Sequence, residues 1–130
     1  MNKVLYIHEK IQEAGIPIDG VAYAPLSIHF REEATEEQRE LALQIAQQAE
    51  ADFPKVLAAK EAKEKANQHI ESHYALYRQI NISRLAQGYT QADLTTMSTF
   101  IDAVRARCHQ YEADIENNQI PTIDYSDINP

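Results

Sequence analysis

His69 and His73 stand four residues apart. On a helix that spacing puts two imidazoles on one face, within reach of one metal ion. Glu71 between them points elsewhere on a helix, so the pair lacks the His-Glu-x-x-His order of a metal-hydrolase helix. The spacing supplies no third ligand either. A solvated or interface histidine pair is the expectation, with no metal and no cofactor; a metal-binding protein or enzyme using His69 and His73 is the alternative. Cys108 is the one cysteine. It falls on an apolar helical stripe, where a thiol behaves as a small hydrophobe. A nucleophilic thiol needs a base and an activating charge, and neither is evident beside it; His109 projects off that stripe. With three glycines in the chain there is no glycine-rich phosphate loop, and the 20 acidic residues form no paired motif. The residues predict no enzyme and no catalytic group.

Composition narrows the classes further. The 130 residues carry a net charge of −8 with no basic cluster, which speaks against nucleic-acid binding by counterion release. No apolar run approaches the ~20 residues of a membrane span, and the opening Met1-Asn2-Lys3-Val4-Leu5 lacks the pattern of a signal peptide. A lone cysteine fits synthesis in a reducing cytosol.

The elements that would position these side chains centre on residues 54–118. From Leu94 the apolar residues recur as Leu94, Met97, Ile101, Val104, Cys108, Tyr111 and Ile115, the alternating three-four spacing of a coiled-coil seam. The preceding segment offers Ala62, Ala66, Ile70, Tyr74, Tyr77, Ile82 and Leu85. Folding the chain at Gln87-Gly88-Tyr89-Thr90 pairs Leu85 with Leu94, Ile82 with Met97, Tyr77 with Ile101, and so on to Ala62 with Ile115. Small alanines then oppose the large Tyr111 and Ile115, as interdigitated packing prefers. An antiparallel helical hairpin follows, with Thr90 and Asp93 capping its second arm. Asp52-Phe53-Pro54 reads as the boundary before the first arm, because proline suits the first turn of a helix and not its interior. Lys60 to Glu64 and Glu61 to Lys65 are ion pairs at helical spacing on a solvated stalk.

Residues 1–53 predict an α-β-β-α head. Val4, Ile7, Ile11 and Ala14 share a helical face, ended by Gly15 and Pro17. Alternation then marks two short strands, about Gly20 to Ala24 and Leu26 to Arg31, with turn signals at Asp19-Gly20 and Ala24-Pro25. Thr35-Glu36-Glu37-Gln38 is a capping box opening a helix to about Ala51, with Leu41, Ala42, Ile45, Ala46, Ala49 and Phe53 as its apolar face. Residues 119–130 have no helical period; Ile120, Ile123, Tyr125 and Ile128 sit among Pro121, Asp124 and Asp127. They predict an extended tail that docks on its own chain or on a partner. The fold class expected is mainly α (α+β): head, hairpin and tail.

The binding hypothesis from these patterns takes Tyr89 at the hairpin tip with Ile120, Ile123, Tyr125 and Ile128 of the tail as partner anchors. Exposed aromatics are enriched at interfaces. A free-standing helical dimer is a further alternative.

Two stretches carry a resemblance. The first is Ala14-Gly15-Ile16-Pro17-Ile18-Asp19-Gly20-Val21 with Ala34-Thr35-Glu36-Glu37-Gln38-Arg39. The second is Arg84-Leu85-Ala86-Gln87-Gly88-Tyr89-Thr90-Gln91 with Asn118-Gln119-Ile120-Pro121-Thr122-Ile123-Asp124. Together they resemble small tailed-phage tail proteins, the tail-fibre assembly chaperones and related tail accessory proteins. The resemblance implies a non-enzymatic chaperone or small virion adaptor, a phage tail-fibre or other tail protein as partner, and residence in the host cytoplasm during assembly or in the virion tail. It carries no catalytic residues over.

Overall fold

The computed structural model describes residues 2–23 and 25–130. The protein is mainly α, with a two-stranded antiparallel sheet near its N-terminus, and it divides into two compact units, Met1–Pro54 and Lys55–Pro130. No helix among the described residues is long and apolar enough to cross a membrane.

In the first unit, helix α1 spans Lys3–Glu13. The Leu5 amide donates to Asn2 Oδ1 at 2.7 Å, satisfying one of the orphan donors of the first turn. Past the helix end Gly15 takes φ +75°, a left-handed position that costs glycine little, and its amide donates to the Gln12 carbonyl at 2.9 Å. Strands β1 (Ile18–Ala22) and β2 (Ser27–Phe30) pair antiparallel with Val21 opposite Ile28, and a bulge falls between Ile18 and Gly20. The first strand thus starts earlier than its alternation suggests, because Ile18 pairs with Phe30 across the bulge. Ala24, the expected strand end and the start of the Ala24-Pro25 turn, lies outside the described residues, as does Met1. Two strands alone are marginal in water. Here Ile7 and Ile11 of α1, Ile16, Ile18, and the small Ala42, Ala46 and Ala49 form one core with the sheet residues Val21, Ile28 and Phe30 packed against it. Leu41, expected on that face, is exposed; the alanine row lies against the core instead.

Helix α2 runs unbroken from Glu36 to His73. Its start is the capping box: Thr35 Oγ1 accepts from the Gln38 amide at 3.1 Å, and Gln38 Oε1 accepts from the Thr35 amide at 2.9 Å. The expected helix boundary at Pro54 is therefore corrected, since Pro54 sits inside α2. A proline removes one intrahelical hydrogen bond and crowds the carbonyl four residues earlier, a cost of ~3 kcal/mol. The helix survives it because α2 is anchored on both sides of Pro54. Ala42, Ala46 and Ala49 belong to one core, and Ala62, Ala66 and Ile70 to the other.

In the second unit the first hairpin arm is also not one helix. It breaks at Tyr74–Ala75, and α3 (Leu76–Ser83) follows before α4 (Gln91–Glu116). Ala75 is extended, with φ −56° and ψ 148°. The carbonyls released by the break are taken by side chains from the next helix: Arg78 Nη1 donates to His73 O at 3.2 Å and Gln79 Nε2 to Tyr74 O at 2.8 Å. Two expected pairs fail for this reason. Tyr77 turns out to solvent at 71% exposure, and Leu85 adopts φ +50° in the turn and is exposed rather than opposed to Leu94. Of the rest of the stripe, Ala62, Ala66, Ile70, Tyr74, Ile82, Met97, Ile101, Val104 and Cys108 are buried in one cluster, Leu94 and Tyr111 pack against it, and Ile115 is buried outside it, away from the expected partner Ala62. Phe100, which the strict seam omits, is buried among them. Gly88 takes φ +94° in the turn, and Thr90 and Asp93 form the capping box of α4.

Candidate functional site

The functional question centres on the tail, residues 119–130, and what it does with the groove between α2 and α4. Helix α4 ends at Glu116, and Asn118 takes φ +63° to turn the chain back along the hairpin. From there the tail lies on its own helices. Tyr125 is buried and its hydroxyl donates to the Ala62 carbonyl of α2 at 2.8 Å. His69 Nε2 meets the Ile128 carbonyl at 2.7 Å. A carbonyl only accepts, so the imidazole hydrogen sits on Nε2. From α4, the Tyr111 hydroxyl donates to Asp124 O at 2.7 Å and accepts from the Asp124 amide at 3.1 Å. Both guanidinium nitrogens of Arg107 reach the Asp127 carboxylate, Nη2 to Oδ2 at 2.9 Å, and Nη1 also donates to Asp124 O at 3.2 Å. That fork-on-fork contact is the strong form of an ion pair.

The expected partner anchors are thus sorted by the structure. Ile123 and Tyr125 are core residues and Ile128 packs against the same core, so none of the three is a free anchor. The alternating pattern suits an extended segment in a groove, and the groove is the chain's own. Tyr89 is half-buried and packs against this core at the turn before α4. Ile120, 59% exposed, is the one anchor of the set that stands free.

The histidine pair is drawn into the same arrangement. The His69 and His73 rings lie 5.0 Å apart, edge to face, and both pack on Phe100, at 5.6 and 5.0 Å. His69 Nε2 is engaged by the tail carbonyl, so that nitrogen is not free for a metal. Among the described residues no three His, Cys, Asp or Glu side chains converge as a metal site. Burial pushes the Cys108 thiol above its ordinary range, and the thiol donates to Glu112 Oε1 at 3.4 Å. A protonated, buried thiol is a poor nucleophile.

Sequence reasoning missed Arg107 and Tyr111 as tethers. Tyr111 is itself a seam residue and Arg107 lies one turn before it, and only the tail's path gives them this partner. It also missed the outer face of α3, where Leu76, Tyr77 and Ile80 fall at helical spacing and are all exposed.

The tethers carry a pH prediction. The hydrogen bond from Arg107 holds the Asp127 carboxyl below its ordinary value of 3.8, and the backbone amide of Ser126 does the same for Asp124. A carboxyl depressed in the fold contributes stability that is complete above its unfolded value and lost as pH falls through the folded one. Acid should therefore loosen the tail only below the ordinary carboxylate range. In a carbon-detected titration, Arg107→Ala should move Asp127 up toward 3.8 and leave Asp124 nearer its wild-type value. An unmoved Asp127 would show that the guanidinium does not hold it.

Comparison of the chain with known protein families, with curated proteins and with solved structures finds no match.

Proposed function

We propose that the chain is a non-enzymatic protein-binding subunit, a tail-fibre assembly chaperone or small tail adaptor, acting in the host cytoplasm during particle assembly. The observation that carries the binding reading is the outer face of α3. Leu76, Tyr77 and Ile80 are exposed by 64%, 71% and 50%, and Leu85 follows in the turn at 44%. Isolated surface hydrophobes need no explanation, but large side chains sharing one helical face mark a contact surface. Along this stretch of sequence the charge has one sign, and in space Asp93 of α4 lines one pocket with Arg78. Arg78 and Arg84 border the face, and no carboxylate occurs between Glu71 and Asp93 in a chain of net charge −8. The partner surface suited to it is apolar with an acidic rim. The resemblance of the two sequence stretches to phage tail accessory proteins supports a fibre or tail protein in that role.

Replacing Tyr77 and Ile80 together by serine tests this reading. A central aromatic anchor is worth about 2 kcal/mol, roughly thirtyfold in Kd, so co-purification with a co-expressed tail-fibre protein should be lost. The melting temperature should change little, because both side chains are at least half exposed. Undiminished co-purification would remove α3 as the contact surface. A wild-type chain that brings down no fibre protein would remove the functional reading itself.

A further inference from the structure

A hairpin of two helices has two grooves, one on each side of the line of contact. In this unit the tail lies along one, held by Ala62 and His69 of α2 and by Arg107 and Tyr111 of α4; Lys65 and Gln68 line a pocket beside it. The other is open. It is a groove of ≈340 Å³ with Ala66, Ile70 and Cys108 as its floor and Lys63, Arg105 and His109 on its rim. Asn67 completes the lining.

The two grooves are chemically alike. Beside the tail stand Lys65, Gln68 and His69 of α2 with Arg107 of α4, and around the open groove stand Lys63 and Asn67 of α2 with Arg105 and His109 of α4. The occupant of the first is visible: an extended segment, Ile123-Asp124-Tyr125-Ser126-Asp127-Ile128, whose apolar side chains enter the core while a carboxylate meets the arginine. In the second groove the corresponding cations are unspent. Arg107 has Asp127 and Lys65 has Glu61, but neither Arg105 nor Lys63 makes an ion pair among the described residues. Glu112, one turn beyond Cys108, is engaged by the thiol.

We propose that the open groove binds an extended acidic segment of another protein, with apolar side chains alternating with carboxylates in the manner of the tail. Apolar contact with the floor would supply affinity, and the unpaired cations would select for acidic segments and set their register. This site is separate from the α3 face and does not depend on the partner proposed there.

The probe is a synthetic peptide copying residues 119–130, titrated into the full isotope-labelled chain and followed by amide shifts. Saturable shifts at Lys63, Asn67, Ile70, Arg105 and His109 are expected, at peptide concentrations below about 1 mM. The same peptide with Asp124→Lys and Asp127→Lys should bind ~10-fold more weakly or not at all. Lys63→Glu with Arg105→Glu, both at exposed positions, should weaken the parent peptide by a like factor. Three results would overturn the proposal. Shifts confined to His69, Arg107 and Tyr111 would mean that the peptide only exchanges with the resident tail. Equal binding of the lysine peptide would remove the charge selection. Shifts of the groove amides with protein concentration alone would assign the groove to a second copy of the chain.

Discussion

Deleting residues 119–130 is expected to lower the melting temperature of the second unit by roughly 15 °C, from a net loss of about 3 kcal/mol. The gross terms are larger. Burying an Ile or Tyr side chain contributes about 1.5–3 kcal/mol, and Ile123 and Tyr125 are both buried. The net value is smaller because ordering the tail costs conformational entropy. Deletion also strips the cover from Ala62, Phe100 and Cys108 and leaves His69 and Arg107 without their tail partners. The check is a circular-dichroism melt of the full chain with and without the tail. An unchanged melting temperature with full helicity would make the tail a bystander. The expectation reverses the one drawn from a tail that serves an external partner, for which deletion would cost binding and spare the fold.

The second large effect is expected at Val104, which is fully buried at the centre of the same core. Val104→Asp puts a carboxylate where no cation or donor can meet it, a loss of about 3–5 kcal/mol, enough to unfold a unit of this size. Arg105→Asp, one residue on and exposed, should stay within about 0.5 kcal/mol of wild type. The comparison is made by urea unfolding of the two variants under one protocol. Equal midpoints would mean that α4 does not face the core as described.

What could be read from the sequence was whatever depends on neighbours in the chain. The caps at Thr35 and Thr90 and the left-handed glycines at 15 and 88 are local chemistry, and the mainly α class with its small hairpin of strands follows from periodicity. The places where reading failed are those where distant groups outvote a local rule. Pro54 is a local stop, but packed faces on both sides of it hold α2 together. The break at Tyr74–Ala75 contains neither Gly nor Pro; it is tolerated because Arg78 and Gln79 reach back to the freed carbonyls. The tail illustrates a different limit. Alternating Ile123, Tyr125 and Ile128 specify an extended segment with apolar anchors, and the same pattern serves whether the groove belongs to the chain or to a partner. Only the position of Arg107, Tyr111 and His69 around that groove decides between them.

The tail's tethers come from both helices: Ala62 and His69 on α2, Arg107 and Tyr111 on α4. Its seat therefore does not exist until those helices have paired. Pairing can spread outward from the turn, each contact bringing the next within reach, so that no single step closes a long loop. The tail joins afterwards, on a platform already built. Contacts made after the rate-limiting step leave the speed of folding nearly untouched and act on the reverse reaction. In the time domain the tail is expected to act as a latch, leaving the folding rate of the second unit nearly unchanged and slowing its unfolding.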